Sequence, residues 1–125
     1  MHALIVDDSA SMRMILKAHL KKLGFEVTEA KNGREALICL KGTTNTDLVL
    51  VDWNMPEMDG ISFVRAVRAE PEYVSLPMMM VTTNTELSQV AEALAAGANE
   101  YIMKPFTGAM IREKLELLGF LQFKA

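Results

Sequence analysis

The chain has 125 residues, of which half are apolar and 23% are charged, and its formal net charge is −3. This length suits one domain with its own hydrophobic core, and the acidic balance argues against a nucleic-acid-binding surface. The apolar runs are too short to cross a membrane, and we expect no signal peptide because the first strand begins almost at once. The single cysteine, Cys39, excludes an internal disulfide and is compatible with the reducing cytoplasm, where we expect the protein.

Short apolar runs alternate with segments of helical periodicity five times along the chain. In chain order, the predicted strands span residues 2–6, 25–29, 47–51, 76–81 and 99–103. Strands that alternate with helices in this way indicate an α/β protein, with a parallel sheet that helices cover on both faces.

The first three helices are predicted from apolar stripes and from signals at their ends. The first stripe consists of residues at helical spacing, namely Met12, Ile15, Leu16, Leu20 and Leu23. Gly24 should end this helix, and Asn32 should begin the second, with Glu35 in the capping-box position. The third helix should begin after Asp59 and end before Pro71.

The last two helices are predicted in the same way. Asn84 or Thr85 should cap the fourth helix, and Gly97 should end it. Its core-facing stripe is predicted to be Leu87, Val90, Ala91 and Leu94. The fifth helix, over residues 107–118, has a core-facing row that consists of Ile111, Leu115 and Leu118. A second apolar row beside it consists of Met110 and Leu117. We expect the second row to bind a partner, the alternative being that residues 120–123 fold back and cover it.

Polar side chains follow the first, third, fourth and fifth predicted strands, at the point where each strand ends. They are Asp7 with Asp8, Asp52, Thr82 and Lys104. Ligands of open parallel sheets bind at the carboxyl ends of the strands, so we expect these groups to face one another. Each residue alone has an ordinary explanation, such as a turn, a helix end or a solvated charge, but their joint placement indicates a functional site.

The charges of this set predict a bound cation and phosphoryl chemistry. Two carboxylates about 4 Å apart repel by about 4 kcal/mol at an effective dielectric constant near 20, and a hard cation with oxygen ligands relieves that repulsion. Mg²⁺ is suitable because it binds one or two carboxylates and leaves positions for phosphate oxygens. Asp52 is the candidate nucleophile, and Lys104 and Thr82 would contact the transferred group.

The chain resembles the response-regulator receiver domains of bacterial two-component signalling over essentially its whole length, residues 1–125, as a single domain. The matching motifs are Leu4-Ile5-Val6-Asp7-Asp8-Ser9, Val51-Asp52-Trp53-Asn54-Met55-Pro56-Glu57-Met58-Asp59-Gly60, Val81-Thr82 and Tyr101-Ile102-Met103-Lys104-Pro105-Phe106. Within the family, it is most similar to the stand-alone chemotaxis receivers. The resemblance implies a flavodoxin-like, doubly wound (βα)5 fold in three layers, with the strand order 2-1-3-4-5.

The resemblance also implies how the acidic residues would act. Asp52 would accept a phosphoryl group from the phosphohistidine of a histidine kinase. Asp8 and Asp52 would ligate Mg²⁺ directly and Asp7 largely through water, and the backbone carbonyl of Asn54 would be a further ligand.

Three further residues would respond to phosphorylation. Thr82 would move to bond the phosphoryl group, and Tyr101 would turn inward behind it. Lys104 would pair with the phosphoryl group, or with an acid in the resting state, and the Lys104–Pro105 peptide bond is expected to be cis.

The resemblance implies partners as well. They are a histidine kinase as donor, an effector such as a flagellar motor switch protein, and a phosphatase as a further candidate; a phosphorelay or enzyme-regulating role is the alternative. The output surface would consist of the fourth helix, the fifth strand and the fifth helix. We expect a monomer with no nucleic-acid or membrane partner, which catalyses only its own phosphorylation and dephosphorylation.

Two other functions share the architecture or the residue types. A flavodoxin-like mononucleotide binder needs a phosphate-cradling loop after the first strand, where Asp7 and Asp8 would repel phosphate. A haloacid-dehalogenase-type phosphatase carries its nucleophile there in an Asp-x-Asp pattern, whereas these two residues are adjacent. Its cap domain also would not fit in 125 residues. The receiver function is therefore preferred.

Overall fold

Strands and α-helices alternate in the computed structural model, which describes residues 1–42, 45–53, 55, 58–83 and 87–120. In chain order the elements are β1 (His2–Val6), α1 (Ala10–Lys22), β2 (Glu26–Ala30), α2 (Gly33–Gly42), β3 (Leu48–Asp52), α3 (Gly60–Arg68), β4 (Met78–Thr82), α4 (Leu87–Ala96), β5 (Glu100–Met103) and α5 (Gly108–Leu117). A short 3-10 helix, Pro71–Tyr73, lies between α3 and β4. None of the described helices is long and apolar enough to cross a membrane.

The strands form one parallel sheet in the order β2-β1-β3-β4-β5. This confirms the predicted flavodoxin-like, doubly wound α/β fold and its strand order. The chain runs from β1 outward to β2 and then returns to β3 on the other side of β1, so the point where the strand order switches lies between β1 and β3. Val6 pairs with Val51 in these two strands, and their carboxyl ends therefore meet at one edge of the sheet.

The sheet separates two apolar clusters, because successive side chains of a strand point to opposite faces. On one face, the sheet packs against α2, α3 and α4, as Leu40, Val64 and Ala93 illustrate. On the other face it packs against α1 and α5. Every residue of β3 and β4 is buried, which agrees with the predicted cover on both faces.

Several predicted helix ends are confirmed. Gly24 and Gly97 follow α1 and α4 with positive φ angles of 91° and 123°, the conformation that glycine adopts most readily. The Asn32 side chain accepts the N–H of Glu35 at 2.8 Å, and Asp59 caps α3. The predicted caps of α4, Asn84 and Thr85, lie outside the described residues.

The bounds of β2, β3, β4 and β5 differ from the prediction by one or two residues. β2 begins at Glu26 rather than at residue 25, because the N–H of Phe25 donates to Leu20 at the end of α1. β3 and β4 extend through Asp52 and Thr82, since the N–H groups of Trp53 and Lys104 still bond to the neighbouring strands. Two of the proposed site residues are therefore strand residues rather than loop residues.

Two predicted core stripes are partly wrong. Ile15 is 45% exposed and Leu94 is 42% exposed, and Ala91 is exposed as well. Neighbouring helix positions differ by about 100°, so α1 can direct Leu16 but not Ile15 towards the sheet. α4 is rich in alanine, and its apolar residues surround the helix, so periodicity did not identify the face that packs.

On α5, the first predicted row is confirmed: Ile111 and Leu115 are fully buried and Leu118 is half-buried. Met110 and Leu117, the second row, are 38% and 68% exposed. Of the segment that could have covered this row, Phe120 packs edge-on against Phe25, with ring centroids 5.7 Å apart, and residues 121–123 lie outside the described part of the chain.

Candidate functional site

The predicted site residues do meet at the carboxyl edge of the sheet. Asp7 directly follows β1, Asp52 ends β3, Thr82 ends β4 and Lys104 follows β5. Asp52 pairs in register with Val81, which brings the ends of the two central strands together. The parallel sheet therefore gathers groups that lie up to 97 positions apart in the chain (from residue 7 to residue 104).

Three carboxylates form the centre of this site. Asp7, Asp8 and Asp52 each offer one oxygen, and the three oxygens lie within 4.8 Å of one another. Asp7 and Asp52 are buried, with 1% and 7% exposure, while Asp8 is exposed. Carboxylates at such distances repel one another strongly where water is largely excluded.

Lys104 offsets part of this negative charge. Its ammonium lies 3.3 Å from Asp52 Oδ1 and 3.7 Å from Asp7 Oδ2, and its side chain is only 18% exposed. Its backbone N–H donates to the carbonyl of Thr82 at 2.8 Å, which ties the start of the β5–α5 loop to the end of β4. The Lys104–Pro105 peptide bond is cis, as the resemblance implied.

The two oxygens of Asp7 have different surroundings. Oδ1 accepts the N–H of Ser9 at 2.8 Å, whereas the buried Oδ2 accepts no hydrogen bond within the described part of the chain. Burial raises the pKa of Asp7 above its usual value of 3.8, although the Ser9 hydrogen bond and the charge of Lys104 act in the opposite direction. A buried, under-bonded carboxylate oxygen next to two further carboxylates fits a divalent cation with oxygen ligands.

Two positioning contacts were not predicted from the sequence. The Arg13 guanidinium donates to the backbone carbonyl of Asp7 at 2.7 Å and to Glu29 at 3.2 Å, so it links the β1–α1 turn to β2. Gly60 lies so close to β3 that an added Cβ would be 2.5 Å from the carbonyl oxygen of Asp52. Arg13 occupies an ordinary helical position, and Gly60 stands out in the sequence only as the last residue of the motif that contains Asp52.

The remaining predicted residues are placed as follows. Thr82 is 1% exposed and lies between the ends of β3 and β5. Tyr101 is half-buried on β5 and packs against the apolar cluster beneath α2, α3 and α4. Asn54, whose backbone carbonyl was predicted to be a metal ligand, lies outside the described residues.

As a whole, the site combines three clustered carboxylates, one ammonium and one threonine at the edge of a parallel sheet. Such a set can hold a divalent cation, and it offers an aspartate carboxylate as a nucleophile towards phosphorus. The ammonium, and the hydroxyl on the adjacent strand, suit the oxygens of a phosphoryl group.

Comparison with known proteins identifies the family. Residues 3–116 match the model of the response regulator receiver domain. The chain is 45% identical over 119 residues to the chemotaxis protein CheY1 of Helicobacter pylori strain J99, which covers 94% of this chain and 96% of that protein. It is 47% identical over 117 residues to a chemotaxis protein CheY homolog of Campylobacter jejuni, with 93% and 90% of the two chains covered.

A solved structure agrees with this result. The Vibrio cholerae chemotaxis protein CheY4 superimposes with a TM-score of 0.88 at 37% sequence identity, over 94% of this chain and 97% of that one. The match to the family model, the relatives and this superposition each cover more than nine-tenths of the chain. The chain therefore belongs to the response-regulator receiver domain family, and its similar relatives are chemotaxis proteins of the CheY type.

Proposed function

We propose that this chain is a phospho-accepting response regulator in which Asp52 takes a phosphoryl group in the presence of Mg²⁺. The observation that carries this proposal is the cluster of Asp7, Asp8 and Asp52 around the ammonium of Lys104. Three carboxylates and one ammonium leave an excess of negative charge, which a divalent cation offsets. Membership of the receiver family supports the same reading.

The Mg²⁺ ligands in this proposal are those that the resemblance to the receiver family implies. Asp8, which is exposed, and Asp52 would bind the ion directly, and Asp7 would bind it largely through water. The backbone carbonyl of Asn54 would be a further ligand. The ion would supply positive charge that offsets the charge of these carboxylates and of a phosphoryl group.

In the transfer step, a carboxylate oxygen of Asp52 forms a bond to phosphorus while the bond from phosphorus to the donor's imidazole nitrogen breaks. The other nitrogen of the donor's ring carries a proton, so when the bonding electron pair stays on the leaving nitrogen the imidazole departs in its neutral form. Lys104, which is 3.3 Å from Asp52 Oδ1 in the resting state, then pairs with the phosphoryl oxygens. The chain would turn over no other substrate, because the phosphoryl group is transferred to its own Asp52 and is later lost from that residue.

Phosphorylation then acts as a switch. It adds about −1.5 to −2 charges and three strong acceptor oxygens. Thr82, on the adjacent strand, donates its hydroxyl to the new phosphoryl group, and Tyr101 turns inward behind it. The face formed by α4, β5 and α5 repacks and is recognised by a partner.

The names of the similar relatives support a role in chemotaxis. We infer a histidine kinase as the donor and a flagellar motor switch protein as the effector, with a phosphatase as a further partner, all in the cytoplasm. Residues 1–125 would act as one receiver domain and as a monomer, without nucleic acid or membrane. The alternative is a phosphorelay or enzyme-regulating receiver, which would use the same phosphorylated site.

The direct test is labelling with acetyl phosphate in the presence of Mg²⁺, followed by intact mass. Wild type should gain one phosphoryl group, and Asp52→Asn should gain none. Asp47→Asn is the matched control, because Asp47 directly precedes β3 and so lies at the amino end of the strand that Asp52 ends. This variant should be labelled like wild type. Full labelling of Asp52→Asn would move the nucleophile elsewhere, and full labelling with a chelator present would remove Mg²⁺ from the proposal.

A further inference from the structure

Lys114 on α5 contacts two consecutive residues of β5. Its ammonium lies 3.0 Å from Glu100 Oε1 and 4.7 Å from the centroid of the Tyr101 ring. The same Glu100 oxygen accepts the backbone N–H of Tyr101 at 3.0 Å. Glu100, Tyr101 and Lys114 thus form a closed set of contacts, which we call the β5–α5 clamp.

The surroundings of the clamp make these contacts stronger than ordinary surface contacts. The side chains of Lys114 and Glu100 are only 27% and 19% exposed, and Tyr101 is half-buried. A partly desolvated cation over an aromatic face is attracted more strongly than one in open water. β5 is also an edge strand, and the Glu100 carboxylate accepts a backbone N–H on the side that has no neighbouring strand.

We propose that Lys114 is a positioning residue for Tyr101, and that the clamp stabilises the resting orientation of the ring. This inference rests on the proposed function, in which phosphorylation turns Tyr101 inward. That rotation would take the ring away from the Lys114 ammonium, whereas the ion pair of Lys114 with Glu100 can persist. The contact between cation and ring is therefore the part of the clamp that opposes switching.

The size of the effect follows from the contact. A cation–aromatic contact at a partly exposed site shifts an equilibrium by about two- to fivefold. Because the phosphoryl mimic fluoroberyllate would bind the switched state better, loss of this contact should improve its apparent affinity by the same factor. Lys114 thus sets how much phosphorylation signal is needed before Tyr101 moves.

The test is a fluoroberyllate titration with Mg²⁺, followed by the fluorescence of Trp53, which is the only tryptophan and adjoins Asp52. Lys114→Met keeps most of the side-chain stem and removes the charge, and it should lower the half-saturating concentration about two- to fivefold. Lys114→Arg should restore the wild-type value. Lys17→Met is the matched control, since it also removes an ion-paired lysine, 3.4 Å from Glu29, and should leave the titration unchanged.

A double-mutant cycle with Tyr101→Leu separates the ring contact from general electrostatics. In the Tyr101→Leu background, Lys114→Met should no longer change the titration. The same four proteins are also unfolded with urea, where the pair should show a coupling of about two- to fivefold in the unfolding equilibrium. This second cycle needs no phosphoryl mimic, so it judges the contact independently of the switch.

Each outcome has a defined meaning. Absence of coupling in the urea cycle overturns the clamp. Coupling in urea with equal fluoroberyllate titrations for wild type and Lys114→Met shows that the contact persists in both states, which overturns its gating role. If wild type does not respond to fluoroberyllate and Mg²⁺, the proposed function is contradicted, and the gating role of Lys114 is overturned as well. The urea cycle still decides whether the contact between Lys114 and Tyr101 exists.

Discussion

At the scale of single residues, Asp7 shows the conflict between stability and function most clearly. Its side chain is 1% exposed, one of its oxygens accepts no hydrogen bond within the described residues, and its neighbours include two further carboxylates. Burial of an ionised carboxylate opposes folding unless a partner compensates for the lost water. A site that binds cations is expected to carry such a cost when no cation is present.

We therefore expect Asp7→Asn to raise the free energy of unfolding at neutral pH in the absence of Mg²⁺. Asparagine can still accept the Ser9 N–H but carries no charge. The pKa of Asp7 is raised in the folded protein, so its ionisation lowers the stability of the fold at pH values above the usual carboxyl pKa. Below that pKa the carboxyl is protonated in both states, and the variant's gain in the free energy of unfolding should disappear. Urea unfolding at several pH values measures this difference, with Asp47→Asn as control. A gain that persists in acid would contradict burial of the charge as its cause.

Asp8 should contribute to cation binding without contributing much to the fold, because it is exposed. When the free Mg²⁺ concentration is about ten times the dissociation constant, bound Mg²⁺ should raise the free energy of unfolding of wild type by about 1.4 kcal/mol. Asp8→Ala should lose most of this increment and most of the Trp53 fluorescence response. Glu72→Ala, which removes an exposed acid near the opposite edge of the sheet, should retain both. Equal responses of wild type and Asp8→Ala would remove Asp8 from the site.

At the scale of elements, the approach of α3 to β3 places Asp52. α3 begins at Gly60, whose N–H donates to the carbonyl of Trp53 at 3.0 Å. A Cβ at Gly60 would lie 2.5 Å from the carbonyl oxygen of Asp52 and 2.8 Å from Cε of Met80. The methionine side chain can move, but the backbone of a central strand cannot move without displacing the site.

We expect Gly60→Ala to lower the free energy of unfolding by about 1–3 kcal/mol through overpacking, and to slow phosphorylation of Asp52. Gly42→Ala is the control, because no atom of the described residues lies within 4 Å of its added Cβ. At the end of α2, this change should be neutral or should stabilise by up to about 1 kcal/mol. Urea unfolding and acetyl phosphate labelling measure both variants. Equal stability of the two would show that α3 can shift freely, contrary to the close approach.

At the scale of the whole molecule, several apolar side chains are exposed on the three elements of the predicted output surface. They come from α4, β5 and α5 and are Leu94, Met103, Met110 and Leu117, with exposures of 42%, 37%, 38% and 68%. Apolar groups that are left in solvent suit a protein partner. The predicted second row of α5 belongs to this set of exposed residues.

We expect Met110→Ala and Leu117→Ala each to weaken binding of the effector by about 1 kcal/mol or more, the size found for central contacts of interfaces. The measurement is the affinity for a flagellar motor switch protein with fluoroberyllate and Mg²⁺ present. Met14→Ala is the control, since Met14 is 71% exposed on α1, which is not part of the predicted output surface. If only Met14→Ala weakens binding, the effector contacts α1 rather than the exposed residues of α5, which contradicts the predicted output surface.

Sequence alone determined the elements and the contents of the site. Runs such as Leu48–Val51 could be assigned to strands because apolar residues buried on both faces leave little choice of structure. The polar residues at their ends could be assigned to one site because parallel strands bring their carboxyl ends to one edge. The strand order did not follow from periodicity and came from the resemblance of motifs.

Contacts between elements were decided only by the tertiary structure. Arg68 shows this well, because its guanidinium donates to Gly97 O, Tyr73 O and Asn99 Oδ1. It therefore joins α3 to the turn that follows it and to a segment about 30 positions further along the chain. The exposure of Ile15 and the contacts of the β5–α5 clamp with Tyr101 were likewise decided only by the tertiary structure. A periodic pattern reports which side of one element is apolar, whereas the partner of a side chain depends on how far each element is rotated and shifted against its neighbours. That arrangement results from the packing of all the elements together.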